Sequence, residues 1–159
     1  MSESINRISV PFDIECNDQK GIIAGYASVF HVLDQHKDQV TPGAFHASLR
    51  SWEAKGAYPK MLWQHNHQEP IGVWDFIDED SRGLYAEGRL NLQTQRGREA
   101  LALLSQGALD GLSIGVRVLE AQKSTSPGVR MLTKLDLVEV SVVTFPANQQ
   151  ALVTSVKEL

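Results

Sequence analysis

Seventeen residues, VRMLTKLDLVEVSVVTF (129–145), constrain this chain more than any other stretch. They read as one long strand, or two joined by a kink, broken only by the PAN that follows. Side chains of a strand alternate between its two faces. Leu135, Leu137, Glu139, Ser141, Val143 and Phe145 then share one face, and Val138, Val140 and Val142 the other. Both faces are largely apolar, so both need covering, and a sheet has to be built around this strand. Glu139 sits in its middle. A carboxylate there is costly to ionise without a partner. Either Glu139 reaches water at a strand end or edge, or it orients a partner.

The rest of the chain supplies the surrounding elements. ISVPFDIE (8–15), GIIAGYASVF (21–30), PKMLWQH (59–65), IGVWDFID (71–78), GLYAEGRLNL (83–92) and GLSIGVRVLE (111–120) read as strands. Pro11 places the first at an edge, and Gly25 marks a bend in the second. HVLDQHKDQV (31–40) reads as a polar loop and KSTSPG (123–128) as a turn. Residues 41–56 carry helix signals: Thr41 as N-cap, Pro42 in the first turn, Phe45, Leu49 and Trp52 on one face, and Gly56 as terminator. Residues 94–107 form a second helix, with Ala100, Leu101 and Leu104 inward and Gly107 at its end. QALVTSVKEL closes the chain as a short helix or strand. The expectation is about seven strands and two helices, with strands following strands through short turns. That favours an α+β or mainly β class: a small, mostly antiparallel barrel with flanking helices, not a doubly wound sheet.

Bulk properties narrow the function. The 159 residues fit one domain, 1–159, and 42% apolar content can fill a core. A net charge of −4 with no basic run argues against a nucleic-acid partner. One cysteine, Cys16, allows no internal disulfide and suits a reducing compartment. The start, MSESINRISV, lacks the basic and apolar regions of a signal peptide. No apolar run approaches the roughly 18 residues a membrane helix needs. The reading is a soluble, intracellular chain with no membrane partner.

Three polar residues on apolar strands carry the chemistry. Ser113 lies between Gly111 and Gly115 on one strand face, which leaves its hydroxyl open to an extended substrate. The same glycines also suit a tight sheet contact. His65 ends an apolar strand, where it can serve as a general base. Its neighbours His67 and Glu69 suggest a metal site instead. Such a site needs further ligands, and the remaining histidines are only His31, His36 and His46. Singly these signals are weak. Together they supply nucleophile, base and carboxylate, the set that serine hydrolysis uses. The order His65, Ser113, Glu139 differs from the trypsin, subtilisin and α/β-hydrolase orders, and no G-x-S-x-G elbow is present. No cofactor is expected. An oxyanion hole needs backbone N–H groups near Ser113; Pro146 has none, which leaves Ala147 or Asn148 of the FPAN turn as donors.

GYASVF (25–30), PGAF (42–45), MLWQH (61–65) with PIG (70–72), GL (83–84), GLSIGV (111–116) and LVEVSVVTFPAN (137–148) with Ala151 resemble, in order, the prohead maturation serine proteases of tailed bacteriophages. The resemblance covers about residues 20–153. It implies a fold similar to the herpesvirus assemblin-type proteases. It also implies endopeptidase activity in capsid maturation, with Ser113 as nucleophile, His65 as base and Glu139 as orienting acid. The implied substrates are the scaffold protein, a scaffold-like N-terminal segment of the major capsid protein, and the protease itself. The implied location is the host cytoplasm, inside the assembling prohead. Related viral enzymes gain activity on association, which makes a homo-oligomer an expectation. Two features depart from the pattern: His67 follows His65 closely and competes for the role of base, and the sequence ends soon after FPAN, where relatives carry a longer tail. Two other readings stand beside the protease: a catalytically inactive capsid- or tail-associated barrel, and a metal hydrolase using His65, His67 and Glu69.

Overall fold

A computed structural model describes residues 6–11, 14–17, 20–145 and 156–158, the segments before residue 20 and after 155 through their backbone only. Among these residues lie ten strands and two helices: β1 (Asn6–Pro11), β2 (Ile14–Asn17), β3 (Ile22–Val29), β4 (Asp38–Val40), α1 (His46–Ala54), β5 (Lys60–Trp63), β6 (Asn66–Glu79), β7 (Gly83–Leu90), α2 (Gln95–Gln106), β8 (Gly111–Lys123), β9 (Arg130–Val143) and β10 (Val156–Glu158). All the strands join one sheet in the order β1-β8-β9-β5-β6-β7-β3-β2-β10, and β4 also pairs with β9. Six of the nine pairings are antiparallel; β2–β10, β4–β9 and β5–β9 are parallel. The sheet curls until β1 and β8 approach β3. The expected barrel is therefore a curled half-barrel of mixed α+β class. The expected first strand is two, β1 and β2, and the loop at 31–40 contains β4.

The helices follow their signals unequally. In α2 the Thr94 hydroxyl accepts from the Gly97 N–H at 3.0 Å, and Gly107 ends the helix with φ 80°. Ala100, Leu101 and Leu104 are its buried face. The helix at 41–56 starts late, at His46. Gly43, at φ 89°, breaks the turn that Thr41 opens. Its N–H is taken by the Glu79 carboxylate at 2.9 Å, and the Thr41 hydroxyl donates to Leu132 O at 3.2 Å instead of capping. Gly56 does terminate α1, with φ 67°. Phe45, at the helix entrance, is fully buried, a burial worth about 1.5–3 kcal/mol. α1 packs on β9, and α2 on β6 and β7. Neither helix is long and apolar enough to cross a membrane.

Candidate active site

The long apolar strand does form, as β9, with β8 on one side and β5 on the other. Its faces are not those that simple alternation gives. Leu137 opposes Val116 and Glu139 opposes Gly115, so Val138 is an extra residue in the ladder. Bulges of this kind re-aim side chains and cluster near active sites. Residues directly opposite each other project to the same face. Leu135, Leu137, Val140 and Val142 therefore share the core face with Val118, Val116, Ile114 and Leu112, while Glu139 and Ser141 turn to the face of Ser113. Helix α1 pins the bulge: Leu137 N donates to Ser48 Oγ at 2.9 Å, and Trp52 Nε1 donates to Leu137 O at 2.8 Å. Glu139 is only 1% exposed, in mid-sheet. It reaches no edge.

His65 arrives from the next hairpin. Trp63 pairs with Asn66, so β5 and β6 are joined by two residues, Gln64 and His65. Their φ values are 51° and 61°. Positive φ at both central residues marks a type I′ turn, which favours Asn and Gly. Two bulkier side chains there cost on the order of 1–3 kcal/mol each. Gln64 holds the turn down. Its N–H donates to Val142 O at 2.9 Å, its Nε2 donates to Thr144 Oγ1 at 2.6 Å, and its Oε1 accepts from Thr144 N at 3.1 Å.

The three residues meet. His65 Nε2 lies 2.5 Å from Ser113 Oγ, and His65 Nδ1 is hydrogen-bonded to Glu139 Oε1. Ser141 Oγ donates to the same Oε1 at 3.1 Å. Ser113 and Ser141 are fully buried, and the His65 side chain is 9% exposed. Burial pushes the Glu139 carboxyl up. The His65 hydrogen bond and charge, the Ser141 hydroxyl and His67 pull it down by more, and it ends below the usual carboxylate range. An ionised Glu139 can only accept. It therefore fixes the His65 proton on Nδ1 and leaves the Nε2 lone pair facing Ser113.

That depressed carboxyl has a consequence for stability. Its contribution is fully present above the ordinary Glu range, about pH 4.3, and is lost as pH falls through the lower folded value. Wild-type protein is expected to lose stability more steeply below that pH than Glu139→Gln, which cannot titrate there. Denaturant midpoints along a pH series check this; parallel curves would show that Glu139 is not held ionised.

Other candidates fall as follows. A Cβ on Gly115 would stand 2.4 Å from Glu139 Cγ, so this glycine makes room for the carboxylate. Gly111 opposes Val143 at the start of β8. His67 does not meet Ser113 as a rival base; its Nε2 lies 3.1 Å from Glu139 Oε2. Glu69 turns away to Arg96 at 3.2 Å and Asn66 at 3.3 Å, so it does not join the two histidines. Among the described residues no group of His, Cys, Asp or Glu gathers as a metal site would require. Ala147 and Asn148 lie outside the described residues. Sequence reasoning passed over Ser141 and Gln64. Ser141 stands two residues after Glu139, which was a usable signal; the Gln64 clamp depends on the turn and left none.

The family model of caudovirus prohead serine proteases matches residues 9–159. The prohead protease of Enterobacteria phage HK97 is 36% identical over 143 residues, 89% of this chain and 62% of that protein. The capsid polyprotein of Pseudomonas phage PAJU2 is 34% identical over 154 residues, 90% of this chain and 21% of that one. The prohead protease of Escherichia phage T5 is 32% identical over 93 residues, 58% of this chain and 43% of that one. The chain thus spans less than two thirds of the length of each. The solved structure of the bacteriophage T4 capsid assembly protease superposes with a TM-score of 0.66 at 12% identity, covering 92% of this chain and all of that one. At that identity the likeness speaks for the fold.

Proposed function

The chain belongs to the caudovirus prohead serine protease family, and from that premise we propose that it is a serine endopeptidase of capsid maturation. The observation that carries the reading is the hydrogen-bonded line Ser113–His65–Glu139. Ser113 is the nucleophile. His65 Nε2 takes the Oγ proton as Oγ bonds to the scissile carbonyl carbon, and Glu139 stabilises the imidazolium. His65 then gives that proton to the leaving amine, the C–N bond breaks, and an acyl-enzyme remains. Water, deprotonated by His65, attacks the ester carbon, and His65 returns that proton to Ser113 Oγ as the ester C–O bond breaks. Gly111 is assigned to the substrate side of Ser113, and the backbone N–H of Ala147 or Asn148 to the oxyanion.

The substrates proposed are the scaffold protein or a scaffold-like N-terminal segment of the major capsid protein, and the protease itself. The match to a capsid polyprotein supports a capsid substrate. Residues 1–159 are taken as one protease unit, similar in fold to the herpesvirus assemblin-type enzymes, working inside the assembling prohead and associating with its own copies. The test is co-expression with a cognate major capsid protein, under conditions that form proheads, followed by intact mass spectrometry. A capsid protein shortened at one site is expected. Full-length capsid protein in assembled proheads would overturn the substrate assignment.

A further inference from the structure

Glu139 has two carboxylate oxygens, and only one is accounted for. Oε1 serves His65 and Ser141. Oε2 is buried and accepts no hydrogen bond among the described residues. An unpartnered buried carboxylate oxygen costs about 1–3 kcal/mol or more. The polar group that approaches it is His67 Nε2, at 3.1 Å, a contact of ion-pair length whose direction falls short of a hydrogen bond.

The backbone brings His67 there by a specific route. Trp63 pairs with Asn66, but Leu62 pairs with Pro70, so residues 67–69 bulge out of the β5–β6 ladder. The bulge is tied down on both sides. Asn66 Oδ1 accepts from Gln68 N at 3.0 Å, and Asn66 Nδ2 donates to Glu69 Oε2 at 3.3 Å. Glu69 pairs with Arg96, whose guanidinium lies 4.7 Å over the Trp63 ring. Such a bulge re-aims a side chain. Here it puts a ring with 60% of its side-chain surface in water against a carboxylate that is 2% exposed.

We propose that His67 is a positioning residue: it engages the second oxygen of Glu139 and stops the carboxylate turning away from His65. The Cγ–Cδ torsion of a glutamate is broad and two-fold, so one anchored oxygen does not fix the plane. His65 and Ser141 hold Oε1 from one side; His67 holds Oε2 from the other. It acts on Ser113 only through Glu139 and His65. The proposal rests on the Ser113–His65–Glu139 reading above.

The experiment compares the rate at which a fluorophosphonate labels the intact protein in wild type, Ser113→Ala, His67→Ala, His67→Phe, His67→Gln and Gln68→Ala, with melting temperatures for each. His67→Ala and His67→Phe are expected to label about tenfold more slowly, less than the ~10²-fold that a 1 Å misplacement can cost. His67→Gln, which keeps a polar N–H to face Oε2, is expected to recover most of the rate. Gln68→Ala keeps all of it, and every variant remains folded at the labelling temperature. A merely structural role for His67 would not be rescued by an amide. Wild-type labelling in His67→Phe, or a His67→Gln as slow as His67→Ala, overturns the proposal. No labelling of wild type, or undiminished labelling of Ser113→Ala, overturns the underlying triad reading instead.

Discussion

Ser113→Ala is expected to leave the fold in place and to lower cleavage of the capsid substrate by at least about a thousandfold, the scale on which losing one triad member acts. Ser113 is fully buried on β8, opposite Ser141 on β9. Leu112 and Ile114 anchor the strand from the other face, which the substitution leaves untouched. What alanine removes is the oxygen 2.5 Å from His65 Nε2. That nitrogen is left without its partner, at a cost of about 1–3 kcal/mol, which a domain of ordinary stability survives. Time courses of capsid-protein cleavage, with a melting curve for each protein, separate the two effects. Wild-type cleavage by Ser113→Ala would remove Ser113 from the chemistry. Ser141 is a poor substitute, since its hydroxyl is committed to Glu139 Oε1 at 3.1 Å.

The three residues that the structure brings together were legible in the sequence, and the way they are aimed was not. Ser113, His65 and Glu139 announced themselves as polar residues on apolar strands, and α2 announced its end through Gly107. Alternation alone then misassigned β9, placing Leu135 and Leu137 with Glu139. The extra residue at Val138 is visible only once β8 is laid beside β9. A two-for-one pairing is a property of two strands, and one strand's pattern cannot contain it. The turn at Gln64 and His65 escaped for the same reason. Neither residue favours positive φ, and the conformation is imposed by Val142, Thr144 and Glu139 from β9 and the residues just after it. The early helix start expected at Thr41 failed because Gly43 takes a positive φ, with its N–H held by Glu79 from far along the chain. His67 looked like a competing base because its spacing from His65 was readable and the bulge at 67–69 was not.

Gly115→Ala is expected to damage stability and activity together, and the manner of the damage distinguishes two uses of the glycine. One use is open space for an approaching peptide. In that case alanine would raise KM, leave the melting temperature alone, and be indifferent to residue 139. The other use is room for Glu139. A Cβ at 115 would lie 2.4 Å from Glu139 Cγ, 2.8 Å from Cδ and 3.2 Å from Oε1. The first distance is far inside van der Waals contact, so something must move. Glu139 has little freedom to move, being tied to His65 and Ser141 at one oxygen and faced by His67 at the other. Overpacking of this kind costs about 1–3 kcal/mol, and displacing Glu139 by an ångström lowers turnover about 10²-fold. The second use makes a prediction that the first does not. Glu139→Ala removes the atoms that clash, so the double variant should be more stable than the sum of the two single losses allows, with a coupling of about 1–3 kcal/mol. Denaturant unfolding of the four proteins of that cycle measures it. Additive losses, or a Gly115→Ala protein as stable as wild type, would return Gly115 to the substrate side of the site. A positive coupling would mean that the glycine two residues after Ser113 is there for the carboxylate, and that β8 and β9 shape the place of Glu139 between them.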